Sequence, residues 1–212
     1  MTDILSRLKA IAKRTLLPNS STKIVTEFDK STLPWIDKEG ADIDGFVKGY
    51  ERGKALPYDL AEKMKFWKQN GYVILDQAIA TTWLEQLWSE VEDLIEHHDK
   101  YGINVRIDLP DYAATPVMAI KDVPQAVLNG PYIKFLDFHD NSVIAKKIML
   151  HENVVAFLEA VFGDRVVGMQ SLIFKYGSQQ ATHQDFAYVV SEIPSHLAAA
   201  WIALEDVHID SG

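Results

Sequence analysis

Apolar residues along this chain recur first at helical spacing and later in alternation. Leu60, Met64 and Trp67 stand three to four positions apart behind Asp59, which is placed to cap a helix. Asn70-Gly71 stops that helix, because both residues tolerate the left-handed conformation of a helix end. Tyr72 to Leu75 then reads as a buried strand. Thr81 or Thr82 opens a second long helix with Leu84, Leu87, Val91, Leu94 and Ile95 on one face. His97-His98 lies in its last turn. Neighbouring side chains on a helix point about 100° apart, so a favourable contact with the helix C-terminus explains this pair better than a shared metal. A further amphipathic helix runs from Asn153 to Phe162 and closes at Gly163, with His151-Glu152 at its start. Val166 to Tyr176, Thr182 to Val190 and Ser195 to Leu204 read as strands, with Gly177-Ser178 turning the chain between the first two. Helices come first and strands later, the order of an α+β protein with helices packed on an antiparallel sheet.

The start of the chain differs. Ile4, Leu8, Ile11 and Ala12 recur at helical spacing among Arg7, Lys9, Lys13 and Arg14. This is a short basic amphipathic helix that suits a membrane surface or a partner, though packing on its own domain is the plainer expectation. Pro18 to Thr22 breaks it. From there to Pro57 the chain reads as irregular, anchored by Trp35 and Phe46. Residues 1–57 are thus an N-terminal extension and residues 58–212 a domain.

Composition narrows the function classes. Across 212 residues the net charge is -9, which argues against a nucleic-acid binder. The chain has no cysteine, which removes disulfide and thiolate chemistry and favours a reducing, cytoplasmic setting. No apolar run approaches the ~18 residues of a membrane span.

The chemistry concentrates at His183-Gln184-Asp185. On a strand, residues two apart share a face, so His183 and Asp185 can reach one ion while Gln184 points away, into a structural hydrogen bond. An imidazole and a carboxylate are two parts of the facial triad that holds non-haem Fe(II). Taken alone, such a short pattern is weak. His139-Asp140 resembles the HD pair of metal-dependent phosphohydrolases, but no further histidines are well placed to complete it. His196 and His208 read as surface residues.

The neighbourhood of this pair adds specificity. The segments MQSLIFKYGS from Met169, HQDF from His183 and AWIALEDV from Ala200 resemble the phytanoyl-CoA dioxygenase family. FWKQNGYVIL from Phe66 resembles the family's opening, and KFLDF from Lys134 an intermediate stretch. The resemblance spans about Leu60 to Gly212. It implies a double-stranded β-helix (jelly roll, cupin-like) with flanking N-terminal helices. It also implies Fe(II), 2-oxoglutarate and O2, and hydroxylation of a C–H bond in a small molecule. By the same resemblance His183 and Asp185 are iron ligands, and Lys134, Met169, Gln170 and Trp201 line the 2-oxoglutarate pocket. Met169 and Gln170 alternate, so one of them is expected to face the site. Core packing is the alternative for Met169 and Trp201, and a solvated surface position for Lys134. No catalytic residue beyond the metal ligands is assigned. Halogenating relatives lose the carboxylate, so Asp185 favours hydroxylation. Tyr112, Tyr132, Phe186 and Tyr188 suit a substrate pocket or the core equally and select no substrate.

Relatives carry a second histidine ligand and an arginine for the distal carboxylate of 2-oxoglutarate in a stretch that would begin where this chain reaches Gly212. His208 does not match that motif. The expectation is therefore a domain incomplete at its C-terminus, with later strands missing. A fragment of a longer protein is the favoured explanation. A naturally short non-catalytic relative, or strands supplied by a partner chain in an oligomer, are the others. Two further function classes stay open: a binding or scaffold protein on the same fold, and a cupin-like metalloenzyme that does not use 2-oxoglutarate.

Overall fold

Asp59 accepts a hydrogen bond from the Glu62 amide and so caps the helix that its position predicts. The computed structural model describes residues 29–177, 183, 185, 189 and 191–208. The N-terminal basic helix predicted from Ile4 to Ala12 lies outside them. Helices α1 (Ile43–Gly49), α2 (Leu60–Asn70) and α3 (Thr81–Glu96) precede strands β1 (Asn104–Ile107), β2 (Val117–Ala119) and β3 (Ile133–Leu136). Helices α4 (Val143–Met149) and α5 (Glu152–Phe162) follow, and then strand β4 (Leu172–Phe174). Among the described residues the strands form one antiparallel sheet in the order β2-β1-β3-β4.

The chain divides into two compact units. The larger comprises Pro34–Thr182 and Ala198–Gly212, the smaller Met1–Leu33 and His183–Leu197. The larger unit holds all the helices and strands just named and has two apolar clusters. In one, α3 contributes Leu87, Val91, Leu94 and Ile95 against Val105 and Ile107 of β1, Phe135 of β3 and Ile144 and Ile148 of α4. In the other, Ile36 and Ile43 pack with Leu60 and Met64 of α2 and Phe157, Ala160 and Val161 of α5. The predicted apolar faces of α2, α3 and α5 are therefore the buried ones. Gly71 and Gly163 close α2 and α5 with φ of 76° and 72°, a region where a side chain is strained.

Residues 29–57 are more ordered than their sequence suggests. Asp42 caps α1 through the Gly45 amide at 2.9 Å. Trp35 stacks on Phe46 with ring centroids 4.5 Å apart, and its Nε1 donates to the Ala160 carbonyl at 2.8 Å. Tyr50 donates to Ala156 at 3.0 Å, and Tyr58 to Asn153. These bonds to α5 make the two predicted anchors, Trp35 and Phe46, part of a wider aromatic clamp.

Three strand expectations need correction. Tyr72 to Leu75 pairs with no strand among the described residues, and Tyr72 and Ile74 are exposed. Of Val166 to Tyr176 only Leu172–Phe174 pairs, against β3. Ser195 to Leu204 begins in a helical turn at Pro194–His196 and continues extended without a partner among the described residues. The strand expected from Thr182 to Val190 lies largely outside the described residues. Alternation reports which side chains share a side, but a strand also needs a neighbour for its backbone. The sheet draws three of its four strands from residues 104–136, between α3 and α4, and β4 alone follows α5.

Candidate functional site

His183 and Asp185 belong to the smaller unit and both are exposed. The Asp185 carbonyl accepts from the Val189 amide at 2.9 Å. His183 Nε2 lies 3.1 Å from Asp185 Oδ1. Two donors about 2.1 Å from one ion and at right angles to each other stand about 3 Å apart. The pair is therefore spaced for adjacent positions on a single metal. Imidazole with carboxylate is also the donor set of non-haem iron. Among the described residues there is no group of three or more His, Asp or Glu side chains able to hold a metal ion.

The other predicted site residues belong to the larger unit. Lys134 sits on β3 and is buried, 8% exposed, so it is not a solvated surface lysine. Its Nζ lies 2.7 Å from Asp108 Oδ2 and 5.9 Å from the centroid of the Phe174 ring. Asp108 Oδ1 also accepts from Arg106 Nε at 2.9 Å. Burial pushes the Asp108 carboxyl up, but the Lys134 and Arg106 cations outweigh it and hold the group below the usual carboxylate value. Met169 and Gln170 are exposed and lie outside β4. Trp201 is 76% exposed, while Ile202 and Leu204 beside it pack on the larger cluster. Neither Met169 nor Trp201 fills the core.

The sheet explains the place of Lys134. Register pairs Arg106 with Lys134 and Lys134 with Phe174, so these three side chains share one face. Val105, Ile107, Ile133 and Phe135 are buried on the other. Sequence reasoning missed Arg106 and Asp108. The signal was the alternation of Ile103, Val105, Ile107 and Leu109, which sets Arg106 and Asp108 together on the opposite side of a strand.

The KFLDF stretch has a structural reason of its own. Asp137 adopts a left-handed turn at φ 50°, and its amide donates to the Ser171 carbonyl at 2.9 Å. The Ser171 amide returns a bond to Asp137 Oδ1 at 3.0 Å, and His139 Nδ1 lies 2.6 Å from Ser171 Oγ. This clasp brings the segment before β4 to the end of β3. It also gives His139 a structural partner in place of the metal role that His139-Asp140 resembles.

A family model described as phytanoyl-CoA dioxygenase (PhyH) matches residues 67–212. The chain belongs to the phytanoyl-CoA dioxygenase family. That family is in general one of Fe(II)/2-oxoglutarate-type oxygenases, and the match runs from α2 through His183, Asp185 and Trp201. Comparison with curated proteins and with solved structures found no match. Among the described residues, no helix is long and apolar enough to cross a membrane.

Proposed function

We propose that this phytanoyl-CoA dioxygenase relative is an Fe(II)/2-oxoglutarate-dependent hydroxylase of a small-molecule C–H bond. The observation that carries the reading is the His183–Asp185 pair at 3.1 Å, inside the residues that match the family. His183 would bind the metal through Nε2 and Asp185 through Oδ1. Bound iron with 2-oxoglutarate supplies the oxidising chemistry, O2 being reduced as the co-substrate loses carbon dioxide and becomes succinate. Lys134 would offer its ammonium to a carboxylate of 2-oxoglutarate, and Met169, Gln170 and Trp201 would line the co-substrate. A retained Asp185 leaves no ligand position for halide, which favours hydroxylation. The family's double-stranded β-helix is the architecture we infer for residues 58–212, with residues 1–57 as an extension.

One observation favours a second reading, a binding or scaffold protein on this fold: no third metal ligand accompanies the pair among the described residues. Anaerobic titration of the chain with Fe(II) and 2-oxoglutarate separates the two. The expected result is the weak visible charge-transfer band of the chelated complex, abolished by His183→Ala. A folded wild-type chain that gives no band, and that decarboxylates no 2-oxoglutarate in air, overturns the hydroxylase and leaves the binding protein.

A further inference from the structure

Trp83 of α3, Lys146 and Lys147 of α4, Leu150, and His151 and Glu152 at the start of α5 line an open cleft of about 380 Å³. All of them belong to the larger unit. Part of the lining is apolar. Trp83 packs against the core and meets the His151 ring edge-on, with centroids 5.2 Å apart, while Leu150 stays 51% exposed. An indole and an exposed leucine in one cleft are surface that a flat apolar body would cover. The charge of the cleft is one-sided. Glu152 is the one carboxylate among the lining residues, and both of its oxygens are taken by Arg52, from Nε at 2.8 Å and from Nη2 at 2.6 Å. Among the described residues neither Lys146 nor Lys147 forms an ion pair. Lys147 Nζ stands over the Trp83 ring, 5.9 Å from its centroid. That distance is the outer limit of a cation–π contact, and the ammonium keeps its N–H donors for an anion. His151 Nδ1 accepts from the Asn153 amide at 3.3 Å, so Nε2 carries the ring proton. Burial pushes this imidazole below its usual value, so at neutral pH the cations of the cleft are the two lysines.

We propose that this cleft binds a small aromatic anion, a flat ring carrying a carboxylate or sulfonate, with the ring along Trp83 and Leu150 and the charged group on Lys146 and Lys147. Each half of the ligand answers a different part of the lining. An uncharged ring would leave the two ammoniums unpaired, and a bare inorganic anion would leave the indole and Leu150 uncovered. Arg52 acts as a positioning residue, because its fork on Glu152 removes the carboxylate that would otherwise compete for the lysines. The site uses none of His183, Asp185, Lys134, Met169, Gln170 or Trp201, and it stands whether or not the chain is a hydroxylase.

Calorimetric binding of naphthalene-2-sulfonate, and of its neutral analogue naphthalene-2-sulfonamide, to the full chain tests this. The wild type is expected to bind the sulfonate more tightly than the sulfonamide. The double variant Lys146→Gln/Lys147→Gln is expected to weaken the sulfonate about tenfold, the size of two solvent-screened ion pairs, and to leave the sulfonamide unchanged. Trp83→Leu is expected to weaken both probes about fivefold through loss of the aromatic wall. Trp83 also packs on the core, so the lysine variant, altered only at exposed positions, carries the decision if Trp83→Leu fails to fold. Equal wild-type affinity for the two probes overturns the anion site. Sulfonate binding that survives undiminished in the double lysine variant also overturns it, as does a wild-type chain that binds neither probe saturably.

Discussion

Asp108 is the residue whose charge most depends on its surroundings in the sheet. Its carboxyl is held below the usual value because two cations outweigh its partial burial. A carboxylate with a depressed native pKa stabilises the fold above the unfolded value of about 3.9 and loses that contribution as pH falls through the native value. Urea unfolding between pH 6 and 3 is therefore expected to show a stability loss in the wild type that Asp108→Asn lacks over the same window. The difference is on the order of 1 kcal/mol, because solvent screens a group this accessible. An equal pH slope in both proteins would remove Asp108 from the acid response. The family resemblance singled out Lys134 but not its partner. An ion pair is a fact of register, and register became visible only when β1 and β3 were aligned at Arg106 and Lys134.

The element scale is where sequence and structure agree best. Apolar spacing defines α2, α3 and α5, a glycine stops α2 and α5, and each signal acts within a few residues of itself. The two terminal glycines share a backbone conformation but differ in surroundings. A Cβ on Gly71 would meet nothing within 4 Å, whereas one on Gly163 would sit 2.5 Å from Trp35 Cδ1. Gly71→Ala is expected to cost about 1–2 kcal/mol, the left-handed penalty alone. Gly163→Ala adds a clash with an indole that stacks on Phe46 and bonds to Ala160, for roughly 2–5 kcal/mol in all. Denaturant midpoints of the two variants check this, and equal losses would show that the Trp35 contact relaxes freely. The strands were harder to read. Tyr72 to Leu75 has the composition of a strand and lacks a neighbour, whereas Asn104–Ile107 pairs on both edges.

At the scale of the molecule, the larger unit holds two apolar clusters built from different helices. Met64 belongs to one and Phe135 to the other. Truncating either to Ala is expected to cost about 2–5 kcal/mol. With no shared packing partner, the costs should add to within about 0.5 kcal/mol in the double variant. A larger coupling energy from a denaturant double-mutant cycle would mean that the clusters act as one core. By itself the sequence determined the three long helices, their buried faces, the glycine stops of two of them and the family, because each rests on local spacing or on short motifs in order. It also singled out His183 and Asp185, though not the 3.1 Å that separates their donors. Only the tertiary structure decided the order β2-β1-β3-β4, the bridge from Asp108 to Arg106 and Lys134, and the clasp between Asp137 and Ser171. Each joins residues far apart in the chain or on different elements. Its energy depends on register and burial, quantities that no local window of sequence contains.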